Sequence, residues 1–217
     1  MRLLTPGADA LVSEFGLAPL PPYIKRDSDD ADLARYDRER YQTTFAQTPG
    51  AIAAPTAGMH FTPELLERIA ARGIEVVRVT LHVGLGTFQP VRVQEVAEHR
   101  MHAERYEITP EAAGSLARAL AEHRRIVAVG TTSVRVLEHC MQTGGLQPGS
   151  GETRLFITPS FEFRALGAMV TNFHLPRSTL LMLVAAFAGT QTVLDAYRTA
   201  IGEGYRFYSY GDAMLIV

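Results

Sequence analysis

Ile126-Val-Ala-Val-Gly-Thr-Thr-Ser-Val-Arg-Val-Leu-Glu-His-Cys-Met141 is the stretch from which the fold can be read. Ile126 to Val129 has the short apolar, β-branched make-up of a buried strand. Gly130 breaks it, and Ser133 to Met141 has helical spacing that ends at Gly144-Gly145. A strand leading through a glycine turn into a helix is the repeating unit of an α/β layered domain. The rigid sheet of such a domain holds its strand-exit loops in register and open to ligand.

The same alternation extends to both sides. Toward the N-terminus, Thr62 can cap a helix with Pro63 at its first position and Arg72-Gly73 at its end. Ile74 to Val83 is the run richest in β-branched residues and predicts a strand; Pro110 to His123 predicts an amphipathic helix. Toward the C-terminus the pattern predicts short strands over Leu155 to Ile157 and Met169 to Phe173. Helices over Thr179 to Ala188 and Thr192 to Ile201 and a last strand over Ala213 to Val217 follow. The expectation is one α/β domain over 41–217 with a mixed, largely parallel sheet. Residues 1–40 read as an N-terminal connector: a short helix over 1–17, an extended Pro19-Leu-Pro-Pro22, and a charged loop or surface helix from Arg26 to Arg40.

Composition narrows the function. At 217 residues and 47% hydrophobic, the chain can bury a substantial core. Its single cysteine, Cys140, excludes an internal disulfide and fits a reducing, cytoplasmic setting. The apolar run Leu180 to Ala188 is too short to span a bilayer, so no membrane partner is expected. A net charge of −2 gives little non-specific pull on nucleic acid, so any polynucleotide contact has to come from a local patch. Lys25 is the only lysine; the dominance of arginine names no ligand.

Four polar or glycine-rich segments stand where apolar runs stop: Pro55 to His60, His82 to Thr87, Gly130 to Arg135, and Asn172 to Thr179. In Gly130-Thr131-Thr132-Ser133, hydroxyls and backbone N–H groups converge at a positive helix end, which favours a carboxylate or phosphate. Arg135 would face that anion with Glu138 steadying it, the bland alternative being a surface ion pair. Gly84 and Gly86 let backbone approach a nucleoside, but the spacing is not a dinucleotide fingerprint. His60, His82, His102 and His174 are candidates for proton transfer, with Glu104 as an alternative base. His99-x-x-His102 with Glu104 invites a zinc reading but lacks a further clustered ligand, so no metal is expected. Ser178 with Thr179 can cap the next helix, and Tyr205 to Asp212 sets four aromatic rings around Arg206, which can stack nucleobases or simply fill a core.

These segments, in this order, resemble the S-adenosylmethionine:tRNA ribosyltransferase-isomerase family of queuosine biosynthesis. The resemblance rests on Pro19 to Ile24, Arg40 to Thr43, Ala54 to Phe61, Thr80 to Phe88, His99 to Glu104, Gly130 to Glu138, Thr171 to Leu183 and Tyr205 to Ile216. It implies transfer of the ribosyl part of S-adenosylmethionine to 7-aminomethyl-7-deazaguanine at the tRNA wobble position. The product is epoxyqueuosine, with release of adenine and methionine. S-adenosylmethionine is then a consumed substrate and no resident cofactor is implied.

On this resemblance His60, His82, His102, His174 and Glu104 share the proton transfers. Thr56, Gly84, Gly86, Thr87, Thr131, Thr132, Ser133, Arg135, Glu138, Asn172, Ser178, Arg206, Tyr210 and Asp212 hold the substrates. It also implies that the chain is shortened at its N-terminus and lacks most of the family's inserted β-barrel domain. A monomer is expected, and a non-catalytic homologue that binds S-adenosylmethionine or tRNA is the alternative. Ser160-Phe161 and Gly167 stand where the family pattern suggests Gly-Tyr and Asp.

Overall fold

The strand, glycine and helix of the central stretch form as their pattern predicts and organise what surrounds them. The computed structural model describes residue 11 and residues 16–26, 30–84 and 96–217, so the helix predicted over 1–17 lies almost wholly outside the described residues. The elements are, in order, α1 (Ala31–Arg40), α2 (Pro63–Ala71), β1 (Thr80–His82), β2 (Glu104–Ile108), α3 (Pro110–Ala121), β3 (Ile126–Val129), α4 (Thr131–Gln142), β4 (Gly149–Thr153), β5 (Leu166–Asn172), α5 (Thr179–Ala188), α6 (Thr190–Gly202) and β6 (Ala213–Ile216). A single 3-10 turn, Thr56–His60, precedes α2.

Two three-stranded sheets result, with strand orders β1-β2-β4 and β3-β5-β6. The first is antiparallel throughout; in the second, β3 runs parallel to β5, and β5 antiparallel to β6. The α/β class and the mixed sheet stand as expected. The parallel share is smaller than the alternation suggests, because only the β3 to β5 connection carries a crossover that brings the strands back in the same direction.

One apolar cluster joins the two sheets through the helices. It takes Ile108 from β2, Leu116 from α3, Val134 and Leu137 from α4, Met169 from β5, Leu183 and Val184 from α5 and Val193 from α6. Each such side chain, fully removed from water, contributes about 1.5–3 kcal/mol of transfer free energy. Among the described residues no single helix is long and apolar enough to cross a membrane.

Three sequence expectations change, each for a physical reason. The run Ile74 to Val83 pairs only over Thr80–His82. Its alternate residues Val77, Val79 and Leu81 still pack on the core, so the β-branched pattern marked a surface that fits a core rather than a ladder. Strand β2 was missed because its inward positions are Glu104, Tyr106 and Ile108, a period of two that a buried carboxylate disguises. Strand β4 replaces the one predicted over Leu155 to Ile157. Its Gly149-Ser-Gly-Glu-Thr153 has poor strand propensity, but Gly151 pairs with Tyr106, and a Cβ there would stand 2.6 Å from the Tyr106 hydroxyl.

The charged N-terminal stretch forms a surface helix in α1, with Asp37 turned inward. Its carboxylate accepts from the Arg26 guanidinium and from the Tyr210 hydroxyl at 2.9 Å, and the Arg26 contact holds its pKa below the usual carboxylate range. Two family departures also acquire a local meaning. Gly167 sits beside a register shift between Ile126 and Val127, where a Cβ would approach the Arg125 side chain to 2.8 Å. Ser160 adopts φ +84°, a left-handed conformation in which glycine is unstrained. Ser160→Gly is therefore expected to stabilise the chain by about 0.5–1 kcal/mol, read as a higher urea midpoint with unchanged slope; a lower midpoint would overturn the strain account.

Candidate active site

The loops singled out by the sequence converge on one cavity of about 350 Å³. Its wall is built from Ala54 to Ala57 before and within the 3-10 turn, Val83 after β1, and Gly130 to Ser133 at the mouth of α4. Thr171 to Pro176 after β5, Ser178, Leu180, Tyr23 and the pair Tyr208-Ser209 complete it. The volume falls within the roughly 300–1,000 Å³ of small-molecule sites. Of the candidates named from sequence, the cavity gathers Thr56, Thr131, Thr132, Ser133, Asn172, His174 and Ser178.

Gly130 makes the sharp exit possible. It holds φ +91° at the cap position of α4, and its N–H donates to the Val170 carbonyl at 2.9 Å. No side chain caps this helix, so its first-turn N–H groups and positive dipole end lie at the cavity wall. The Ser133 hydroxyl donates back to the Val129 carbonyl at 2.8 Å. Ser178 does what a cap does: its Oγ accepts from the Leu181 N–H at 3.2 Å and donates to the Leu175 carbonyl at 2.7 Å.

Asn172 ties three loops together. Its Nδ2 donates to the carbonyls of Tyr208 at 3.0 Å and Ser209 at 3.5 Å, and its Oδ1 accepts from the Thr56 hydroxyl at 3.4 Å. The amide is thus engaged at both ends within the chain, and its observed contacts position the cavity wall.

His174 is the candidate base that reaches the cavity. Thr171 Oγ1 lies 2.8 Å from its Nε2, and its backbone N–H donates to the Tyr197 hydroxyl at 2.7 Å. Burial pushes the imidazolium down to about 4, so the ring is neutral at pH 7. Below about pH 6.5 the unfolded chain binds a proton at this residue that the folded chain refuses until about pH 4. Stability should therefore fall as pH drops through that window, by about 3 kcal/mol in all. Urea unfolding of wild type and His174→Asn at pH 7 and pH 5 tests this: the variant should lose less stability on acidification, and equal losses would refute the assignment.

Several residues expected at the site are elsewhere. Arg135 does not face an anion at the helix mouth: it is 4% exposed, its Nη1 donates to Glu104 at 2.6 Å and its Nε to the Leu155 carbonyl at 2.9 Å. Glu104 is consequently an ion-pair partner inside the core rather than a base. Glu138 does not steady Arg135 either; fully buried, it accepts three backbone N–H groups, from Arg164, Ala165 and Leu166, at 2.9–3.0 Å. Helical spacing put Arg135 and Glu138 on neighbouring positions, but the packing of β2 and β5 against α4 gave each a different partner.

The other histidines also stand apart from the cavity wall. His60 is half-buried with an unpartnered Nε2 and lies within electrostatic reach of Asp212. The ring of His82 packs on Gly50, where a Cβ would stand 2.8 Å from Nδ1. His102 is exposed, and His99 meets Phe156 edge-on at 5.3 Å between ring centroids. Glu104 is paired with Arg135, and among the described residues no group of three His, Cys, Asp or Glu side chains converges. Arg206 and Asp212 clamp their own loop, the Asp212 carboxylate accepting from the Arg206 backbone and guanidinium, while Tyr210 serves Asp37. Gly84 is half-buried and absent from the wall; Gly86 and Thr87 lie outside the described residues.

Sequence reasoning missed Tyr23 at the wall, and it held Tyr208 and Ser209 only within the aromatic segment around Arg206 rather than as site residues. Pro19-Leu-Pro-Pro22 read as a connector concealed Tyr23, whose hydroxyl meets Ser209 Oγ at 2.6 Å across 186 positions of chain. The signal that remained was the aromatic density of Tyr205 to Tyr210.

Comparison with known proteins points the same way as the cavity. A family model described as queuosine biosynthesis protein matches residues 2–216. The S-adenosylmethionine:tRNA ribosyltransferase-isomerase of Anaeromyxobacter sp. (strain Fw109-5) is 58% identical over 208 residues, covering 96% of this chain and 59% of that protein. The protein of the same name from Ralstonia pickettii (strain 12J) is 54% identical over 217 residues, covering 100% of this chain and 59% of that one. The crystal structure of S-adenosylmethionine tRNA ribosyltransferase from Thermotoga maritima superposes with a TM-score of 0.63 at 48% identity, covering 74% of this chain and 51% of that chain. The chain thus spans about 59% of the length of the curated relatives it matches.

Proposed function

The chain belongs to the queuosine biosynthesis protein family, and from that premise we propose that it transfers the ribosyl part of S-adenosylmethionine to 7-aminomethyl-7-deazaguanine at the wobble position of tRNA. The product is epoxyqueuosine, with release of adenine and methionine. The observation that carries this reading is the convergence of Thr131, Thr132, Asn172 and His174 on one cavity beside an uncapped helix N-terminus.

The methionine carboxylate suits the mouth of α4, where N–H groups and the threonine hydroxyls supply donors and the helix dipole favours negative charge. The carbon beside the sulfonium must lose a proton, which needs an unprotonated base in a position to reach it. What supports His174 in this role is that it is neutral at pH 7 and part of the wall. The burial that keeps it neutral also weakens it as a base, so close positioning of the acidified carbon has to supply the compensation. S-adenosylmethionine is consumed, no resident cofactor enters, and the chain acts as a monomer on tRNA.

The test is incubation with S-adenosylmethionine and tRNA carrying 7-aminomethyl-7-deazaguanine, read by mass spectrometry. It is run on this chain and on this chain joined to the part of the Anaeromyxobacter relative that it does not span. Adenine and epoxyqueuosine should form, and His174→Ala should lower turnover by about 100-fold or more while S-adenosylmethionine still binds. Binding without adenine release in both forms would overturn the reading in favour of a non-catalytic homologue.

A further inference from the structure

We propose that Tyr23 and Tyr208 form the aromatic wall that receives the purine base of the nucleoside substrate; the inference rests on the ribosyl-transfer reading above. Both half-buried rings line the cavity, with centroids 5.1 Å apart and planes inclined at 48°. Aromatic faces of this kind hold a nucleobase by stacking, while the hydroxyls and helix N–H groups at Thr131 and Thr132 in the same cavity suit the charged tail of the same molecule.

The backbone at Tyr208 is held in place by its surroundings. Tyr208 has φ +72°, a left-handed conformation that costs a non-glycine residue free energy and persists only where its surroundings over-determine it. They do so here. The Tyr208 N–H donates to the Phe173 carbonyl at 3.0 Å, and its own carbonyl accepts from Asn172 Nδ2 at 3.0 Å and from the Gly211 N–H at 3.1 Å. Gly211 has no room for a side chain, since a Cβ would stand 2.5 Å from the Arg206 carbonyl oxygen. The Tyr23 hydroxyl meets Ser209 Oγ at 2.6 Å, and its ring packs on that of Tyr208.

Calorimetric titration of the whole chain with S-adenosylmethionine, adenosine and D-ribose tests the proposal. Wild type should bind S-adenosylmethionine and adenosine well ahead of D-ribose. Tyr23→Leu and Tyr208→Leu should each weaken adenosine by about tenfold or more, with Tyr23→Phe and Tyr208→Phe within about twofold of wild type. Because Tyr208→Leu alters a strained position, Tyr23→Leu carries the test alone if the former fails to fold. S-adenosylmethionine bound equally by wild type and Tyr23→Leu would overturn the wall and leave the ribosyl-transfer reading in place. Tyrosine-dependent adenosine binding without any affinity for S-adenosylmethionine would uphold the wall and count against that reading. Binding of neither nucleoside by wild type would overturn both.

Discussion

Replacing Glu138 by alanine should cost at least about 2 kcal/mol of folding stability, a large share of what holds a domain of this size together. Three backbone N–H groups, those of Arg164, Ala165 and Leu166, end on its two buried carboxylate oxygens; the bonds from Ala165 and Leu166 are buried and that from Arg164 is part-buried. Deleting the acceptor strands all three, and each buried donor left alone costs about 1–3 kcal/mol. The loss is concentrated where β5 begins, so amide exchange at Ala165 and Leu166 should accelerate together with the fall in the urea midpoint. Glu138→Gln separates shape from chemistry: it keeps the volume but turns an amide donor toward an N–H, and should also destabilise. A cost below about 1 kcal/mol for both variants would mean that these N–H groups find other partners. The consequence reaches function because β5 carries Asn172 at its end and delivers His174 to the cavity.

Arg135→Met is expected to cost about 3–5 kcal/mol, since it removes the guanidinium that pairs with the buried Glu104 carboxylate and donates to the Leu155 carbonyl. Glu104→Leu should destabilise in the same range for the mirror reason, and burial already pulls the Arg135 pKa below its ordinary value against the supporting charge of Glu104. Pairing Arg135→Met with Glu104→Leu should recover much of the loss, because a buried ion pair replaced whole by apolar volume is often neutral. Denaturation of the two single variants and the double variant measures the coupling. If Arg135 instead clamped the methionine carboxylate, Arg135→Met would raise the KM for S-adenosylmethionine with little change in stability, and that result would reinstate the anion-clamp role.

The two cases share a lesson about charged residues. Arg135 and Glu138 lie three apart on a helix, a spacing that on its own reads as a mutual pair at the surface. The helix they occupy is buried on both relevant sides, so each ionisable group had to meet a partner brought in from another element: β2 for Arg135, the start of β5 for Glu138. The same contact that satisfies Arg135 removes Glu104 from the list of bases. The loops of His60 and His82 also reach the cavity, through Thr56 and Val83, and the difference is that His174 alone of the three is itself part of the wall.

What the residue order sufficed to establish is whatever rests on neighbours in the chain. The α/β class, the Gly130 turn into α4, the Thr62 and Ser178 caps and the convergence of several strand-exit loops all follow from periodicity, backbone freedom and side-chain reach over a few positions. The antiparallel pairing of β2 with β4, the inward turn of Asp37 and Glu104, and the entry of Tyr23 and Tyr208 into the wall depend on residues tens to more than a hundred positions apart. No local pattern encodes those partners, because a buried polar group takes whichever acceptor or donor the packed elements bring within hydrogen-bonding distance, and only the folded chain decides which that is.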